Sequence, residues 1–131
     1  MPKDDDTEII TDDRWWTRGD FTVISSDNVR FLVPSQSLFS ASPVFGDASD
    51  VGGGSADKTV HLTDTTFETA STLSAFFWFI TRAEIDPLWL HGDLIPVCER
   101  ISHLVTFLHK YQCDATLKMF KSTFHYNYNH R

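Results

Sequence analysis

Histidine and cysteine gather in the last third of the chain, at His91, Cys98, His103, His109 and Cys113. Imidazole and thiolate are zinc ligands, and a thiolate beside an imidazole is a nucleophile with its base. His109 and Cys113 stand four apart, a spacing that a helix would bring to one face. Zinc, however, takes four ligands in a tetrahedron, and recognisable sites bring paired short spacings. Neither C-x-x-C nor H-x-x-x-H occurs in this chain. Cys98 and His103 are not an i,i+4 pair, and no Gly-rich oxyanion loop flanks the thiol. The run Gly52-Gly53-Gly54 lacks the following Gly-Lys-Ser/Thr of a phosphate loop and follows no strong strand. The expectation is therefore no catalytic, metal or cofactor-binding residue, with Cys98 and Cys113 as small buried hydrophobes and the histidines at the surface. A thiol or metal-dependent enzyme is the alternative that a reactive Cys98 or a bound zinc would revive.

Composition narrows the remaining classes. A length of 131 residues makes one domain, and 41% hydrophobic with 14% aromatic residues supplies a core that needs no staple. Eleven Lys and Arg against 18 Asp and Glu leave a formal net charge of -7, with the cations scattered. Nucleic-acid binding rests on cations neutralising phosphates, so nucleic acid is not an expected partner. Two cysteines outside any spaced framework point to a reduced interior. No apolar run long enough to span a bilayer is present, and MPKDDDTEII has no signal-peptide apolar region. The expectation is no membrane and a cytoplasmic or nuclear location.

The elements that would position any site read as follows. Residues 1–14 form an acidic segment expected to be flexible, ending at Trp15 and Trp16. Phe21 and Val23, then Val29, Phe31 and Val33, alternate around a Ser-Ser-Asp-Asn turn, which predicts a β-hairpin. Pro34 ends its second strand. Leu38 and Phe39 fall in a short helical turn, and Ser42-Pro43 starts a second helix. Residues 47–57 are expected to be a flexible loop, followed by a short strand over 59–62. Thr65 with Glu68 fits a capping box, opening a helix with Phe67, Ala70, Leu73, Phe77 and Ile80 on one face. Phe76, Trp78 and Phe79 widen that stripe nearly all round, so the helix is central or shows aromatic surface to a partner. After a loop through Pro87, Trp89 and His91, Asp93 caps a helix with Val97, Ile101, Leu104, Leu108 and Tyr111 on one face. Asp114 begins a last helix with Leu117, Phe120 and Phe124 inward, and residues 125–131 read as a tail.

In this order the segments resemble a BTB/POZ domain, most closely the small ones of fungi, over residues 15–124. The residues that carry the resemblance are Asp20 before the first strand of the hairpin, Phe31 and Leu38 at F-x-x-x-x-x-x-L spacing, and Ser42 and Phe45 as S-x-x-F. Phe77-Trp78-Phe79-Ile80-Thr81, His109-Lys110-Tyr111 with Leu117, and Arg14-Trp15-Trp16 before Gly19-Asp20 complete the set. The resemblance implies an α+β BTB/POZ fold, a small β-sheet capped by a cluster of about five to six helices. It implies a protein–protein interaction module without catalysis, acting by self-association as a homodimer or as an adaptor for protein partners. Two departures stand out. Pro34-Ser35 replaces the family's His followed by a basic residue, so Asp20 lacks the cation that it pairs with in dimeric members. The loop DASDVGGGSADK lacks the apolar-x-Glu motif with which some members dock on a cullin ubiquitin-ligase scaffold, the alternative partner.

Trp and Tyr are enriched among interface hot spots. The expected interface residues are Trp15, Trp16, Asp20, Phe21, Leu38, Phe39 and above all Trp89, because Leu-Trp-Leu in an exposed loop would require cover.

Overall fold

The computed structural model describes residues 9–51 and 59–129. Among these residues four strands and five α-helices make an α+β arrangement: β1 (Thr11–Thr17), β2 (Phe21–Ile24), β3 (Val29–Val33), α1 (Ser35–Ala41), α2 (Pro43–Val51), β4 (Thr59–His61), α3 (Ala70–Arg82), α4 (Leu94–Lys110) and α5 (Asp114–Asn129). A 3-10 helix, Pro87–Leu90, precedes α4. No helix among the described residues is long and apolar enough to cross a membrane.

The sheet has the order β1-β3-β2-β4. β2 and β3 form the expected antiparallel hairpin, with Phe21 opposite Val33 and Val23 opposite Phe31. Asn28 takes the left-handed conformation at φ 65°, which asparagine tolerates, and its N–H returns to the Ser25 carbonyl at 2.9 Å. β4 lies parallel to β2, reached through α1 and α2. β1, parallel to β3, was not expected: the boundary placed after residue 14 falls inside this strand. Asp12 meets Arg30 at 2.6 Å, and the Thr11 N–H reaches the Asn28 carbonyl, so the start of β1 is held from the hairpin side.

Alternation along the strands puts Phe21, Val23, Phe31 and Val33 on the helix side, all at most 3% exposed. α3 crosses behind them. Thr72, Leu73, Ala75, Phe76, Phe77 and Phe79 are all buried, so the all-round apolar helix is central rather than displayed. Aromatic rings then carry the core outward: Trp16 on Phe77, Phe77 on Phe31 and Phe76, Phe76 on Phe107, Phe107 on Tyr111, and Tyr111 stacked on Phe45.

The starts of α1 and α3 are capped across the chain rather than locally. α1 begins after Pro34, which has no side-chain donor or acceptor, and the Asp20 carboxylate takes the Ser35 N–H at 2.8 Å and hydroxyl at 2.6 Å. α3 begins at Ala70, not at Thr65, and the Thr65–Glu68 capping box does not form. The Ala70 N–H goes to Asp27 in the hairpin turn at 2.9 Å. Ser42 serves α2 as expected, accepting from the Phe45 N–H and donating to the Tyr111 carbonyl at the end of α4. Two further boundaries move. α2 runs on to Val51, into the stretch expected as a loop, whose Gly52-Gly53-Gly54-Ser55 lies outside the described residues. α5 continues to Asn129, through most of the expected tail, while the Phe124 side chain lies outside what is described.

Candidate interaction surface

Of the chemical constellation, nothing converges. Among the described residues no group of three or more His, Cys, Asp or Glu side chains could hold a metal ion. His109 is exposed while Cys113 is fully buried, so the two share no accessible face. Cys98 corrects the expectation of two buried thiols, since it is exposed near the start of α4. Burial first, with the charge of Asp114 adding to it, pushes the Cys113 thiol up to about 12, against a lowering contact from Ser42. Thiolate is the reactive form, so Cys113 is inert. With a maleimide in native buffer, Cys98 is expected to label fast and Cys113 only after denaturant is added. Equal labelling of both thiols in the folded protein would contradict this arrangement.

The strongest polar cluster is structural. Glu68, 1% exposed, accepts the Thr63 and Asp64 N–H groups at 3.1 and 2.9 Å through Oε1. Its Oε2 accepts the Lys110 ammonium at 2.8 Å and the Tyr111 hydroxyl. Burial alone would raise this carboxyl, but the donors from Lys110, Tyr111 and Asp64 outweigh it and hold the group below its ordinary range. The phenol of Tyr111 is pushed far up, chiefly by burial and then by Glu68. This cluster clamps the segment before α3 to the end of α4.

The seven expected interface residues separate. Leu38 and Phe21 are core, and Phe39 packs edge-on against Phe21 with ring centres 5.3 Å apart. Trp89 is also core, a correction to the residue ranked first. The Leu-Trp-Leu loop folds into the 3-10 helix, and Arg100 grips it through the Trp89 and His91 carbonyls at 2.8 Å each. Asp20 is exposed yet engaged in capping α1, and its partner is Ser35, the residue standing where a cation was missed.

Trp15 and Trp16 part company. Between Asp12 and Thr17 the pairing of β1 with β3 shifts register. The Asp13 carboxylate accepts both the Trp15 and the Trp16 N–H, at 2.8 and 2.9 Å. Bulges of this kind re-aim side chains and blunt a sheet edge against strand addition. Here Trp16 turns in against Phe77 while Trp15 stands 69% exposed. Beside them lies a concavity of about 390 Å³ on the sheet face away from the helices. Ile24 and Leu32 contribute its apolar part, with Thr17, Thr22 and Thr59 around them and the Asp12–Arg30 pair at its side. Sequence reasoning missed a second apolar exposure, Leu94 and Ile95 in the first turn of α4, at 74% and 72%. Leu94 continues the Val97–Ile101 stripe backward, but the helix extends past the body it packs on.

No family model, curated protein or solved structure matches the chain.

Proposed function

We propose that the chain is a protein-interaction module of the BTB/POZ type, working by burial of apolar surface rather than by chemistry on a substrate. The observation that carries this reading is the order and pairing of the elements. The hairpin β2–β3, the helix pair α1–α2, a strand returning beside β2, then α3 and the pair α4–α5 follow the order that the resemblance implies. The residues that carry the resemblance sit at its joints. Phe31 and Leu38 are fully buried, Ser42 ties α2 to the end of α4, and Lys110 and Tyr111 hold Glu68. β1 is an addition at the sheet edge, and among the described residues it supplies the most exposed aromatic side chain.

A standard interface buries on the order of 800 Å² on each partner, with a few anchors carrying most of the energy. Trp15, exposed, with its backbone N–H held by Asp13 and next in the chain to Trp16 on the concavity wall, is the anchor of choice. The test is quantitative capture from a lysate of the source cells, with the tagged protein and its Trp15→Ala variant side by side. Specific partners recovered by the first and lost by the second support the reading. Capture no better than a tag-only control with either would overturn it, and a cullin near stoichiometry would turn it toward the adaptor role.

A further inference from the structure

We propose that the recess on the outer face of the sheet binds a small hydroxyaryl carboxylic acid, its carboxylate on Arg30 and its hydroxyl toward Thr22 and Thr59. The inference does not rest on the interaction role above. Strand register places the side chains. Asp12, Arg30 and Ile24 are cross-strand partners, and Leu32, Thr22 and Thr59 form a second such row one alternation away. The recess lies over both rows, and its volume of about 390 Å³ falls at the small end of ligand pockets, roughly 300–1,000 Å³.

Chemistry is graded across the strands. Arg30 bonds Asp12 through Nε alone, and its two terminal amino groups have no partner among the described residues. A guanidinium offers that second edge to another carboxylate in a two-point contact, so the Asp12 pair orients the cation without using it up. At 42% side-chain exposure the cation is reachable from solvent. Ile24 and Leu32 then supply an apolar floor, and Trp16 a wall for a planar ring to pack on. Thr22 and Thr59 end the recess with hydroxyls, which both donate and accept. Strands lie about 4.8 Å apart and one face repeats about every 6.7 Å along them, so the Arg30 and Thr59 backbones are on the order of 12 Å apart, and side chains reaching inward leave about 8 Å. An aromatic ring set between a carboxylate and a hydroxyl spans that gap. A cation would face Arg30, and an uncharged apolar body would leave its free edge unpaired.

An NMR titration of the full chain, followed at its backbone and side-chain N–H groups, tests this with 3-(4-hydroxyphenyl)propionate, the corresponding propionamide and tyramine. Salt at about 0.15 M screens the net charge of -7, which opposes any anion at a distance. The expected result is saturable shifts at the Arg30 Nε–H, the Trp16 indole N–H and the backbone of residues 24 and 32. The dissociation constant should be on the order of 1 mM, because an open recess covers only part of the ligand. The amide should bind about tenfold more weakly, and tyramine not at all. Arg30→Gln should weaken the acid by the same factor of about ten. Thr22→Phe fills the recess while leaving the ion pair in place, so it should abolish binding, and it keeps the test decisive if Arg30→Gln loosens β1. No saturable shift up to about 20 mM, equal binding of acid and amide, or undiminished binding in Thr22→Phe would overturn the proposal. Tighter binding of the tripeptide Gly-Gly-Tyr than of the free acid would overturn the small-molecule assignment in favour of a chain terminus with the same carboxylate.

Discussion

Glu68→Ala is expected to destabilise the fold by about 3 kcal/mol, because it strands donors rather than merely removing a charge. The Tyr111 hydroxyl and the Thr63 and Asp64 N–H groups lose their acceptor in a site that is closed to water on the Glu68 side. Lys110 is half-exposed and recovers hydration, which keeps the loss below that of a fully buried ion pair. Glu68→Gln keeps one carbonyl oxygen for the two N–H groups and should cost less. The pH dependence follows from the direction of the shift. The folded carboxyl titrates below its ordinary value near 4.5, so its contribution is fully present above that pH and is lost as pH falls through the folded value. Tyr111 acts in the opposite limb: its folded phenol is raised above 10.0, so its contribution is present below 10.0 and is lost as pH climbs beyond it. Urea unfolding from pH 3 to 8 checks the first limb, whose acid slope should flatten in Glu68→Gln. An unchanged slope would show that Glu68 is not the titrating group.

Gly19→Ala is expected to be the other severe substitution, at about 3 kcal/mol. Its backbone conformation is not the reason. A Cβ at residue 19 would fall on the Val33 backbone, well inside the 3.0 Å that real Cβ atoms respect, and the atoms met are main chain that no rotamer change can move. Here the chain leaves β1 and passes the end of β3 to enter β2, so relief would require parting β1 from β3 or the hairpin strands from each other. The denaturation midpoint should drop while Gly46→Ala, whose Cβ would meet Phe39 at an ordinary 3.6 Å, leaves it nearly unchanged apart from local helix propensity. A Gly19→Ala protein as stable as its parent would mean that β1 does not follow this path.

What could be read from the sequence was the part written in local period. The alternation of Phe21, Val23, Val29, Phe31 and Val33 gave the hairpin, and the three- and four-residue spacing from Leu73 to Phe77 and from Ile101 to Leu108 gave the helices. Non-local chemistry was illegible. Thr65 and Glu68 satisfy a local capping rule, yet Glu68 reaches back to Thr63 and Asp64 instead, its other oxygen takes Lys110 and Tyr111, forty-odd positions later, and Asp27 caps α3 from the hairpin. β1 escaped because its acidic residues carry no alternation; its place depends on Arg30 and the Asn28 carbonyl. The interface residues split for a related reason. Hydrophobicity alone cannot tell Trp89, which the Arg100 grip brings into the core, from Trp15, which the Asp13 bulge turns out. Residue type named both tryptophans; only the partners of their backbones decided their fates.

The measurement that tests the central claim most directly is photocrosslinking in the source cells, with a photoreactive amino acid at position 15 and, separately, at the exposed position 102 on α4. The account predicts discrete protein adducts from position 15, of this chain or of another, and none above background from position 102. No adduct from position 15, or the same adducts from both, would contradict a module that works through the bulged edge of its sheet.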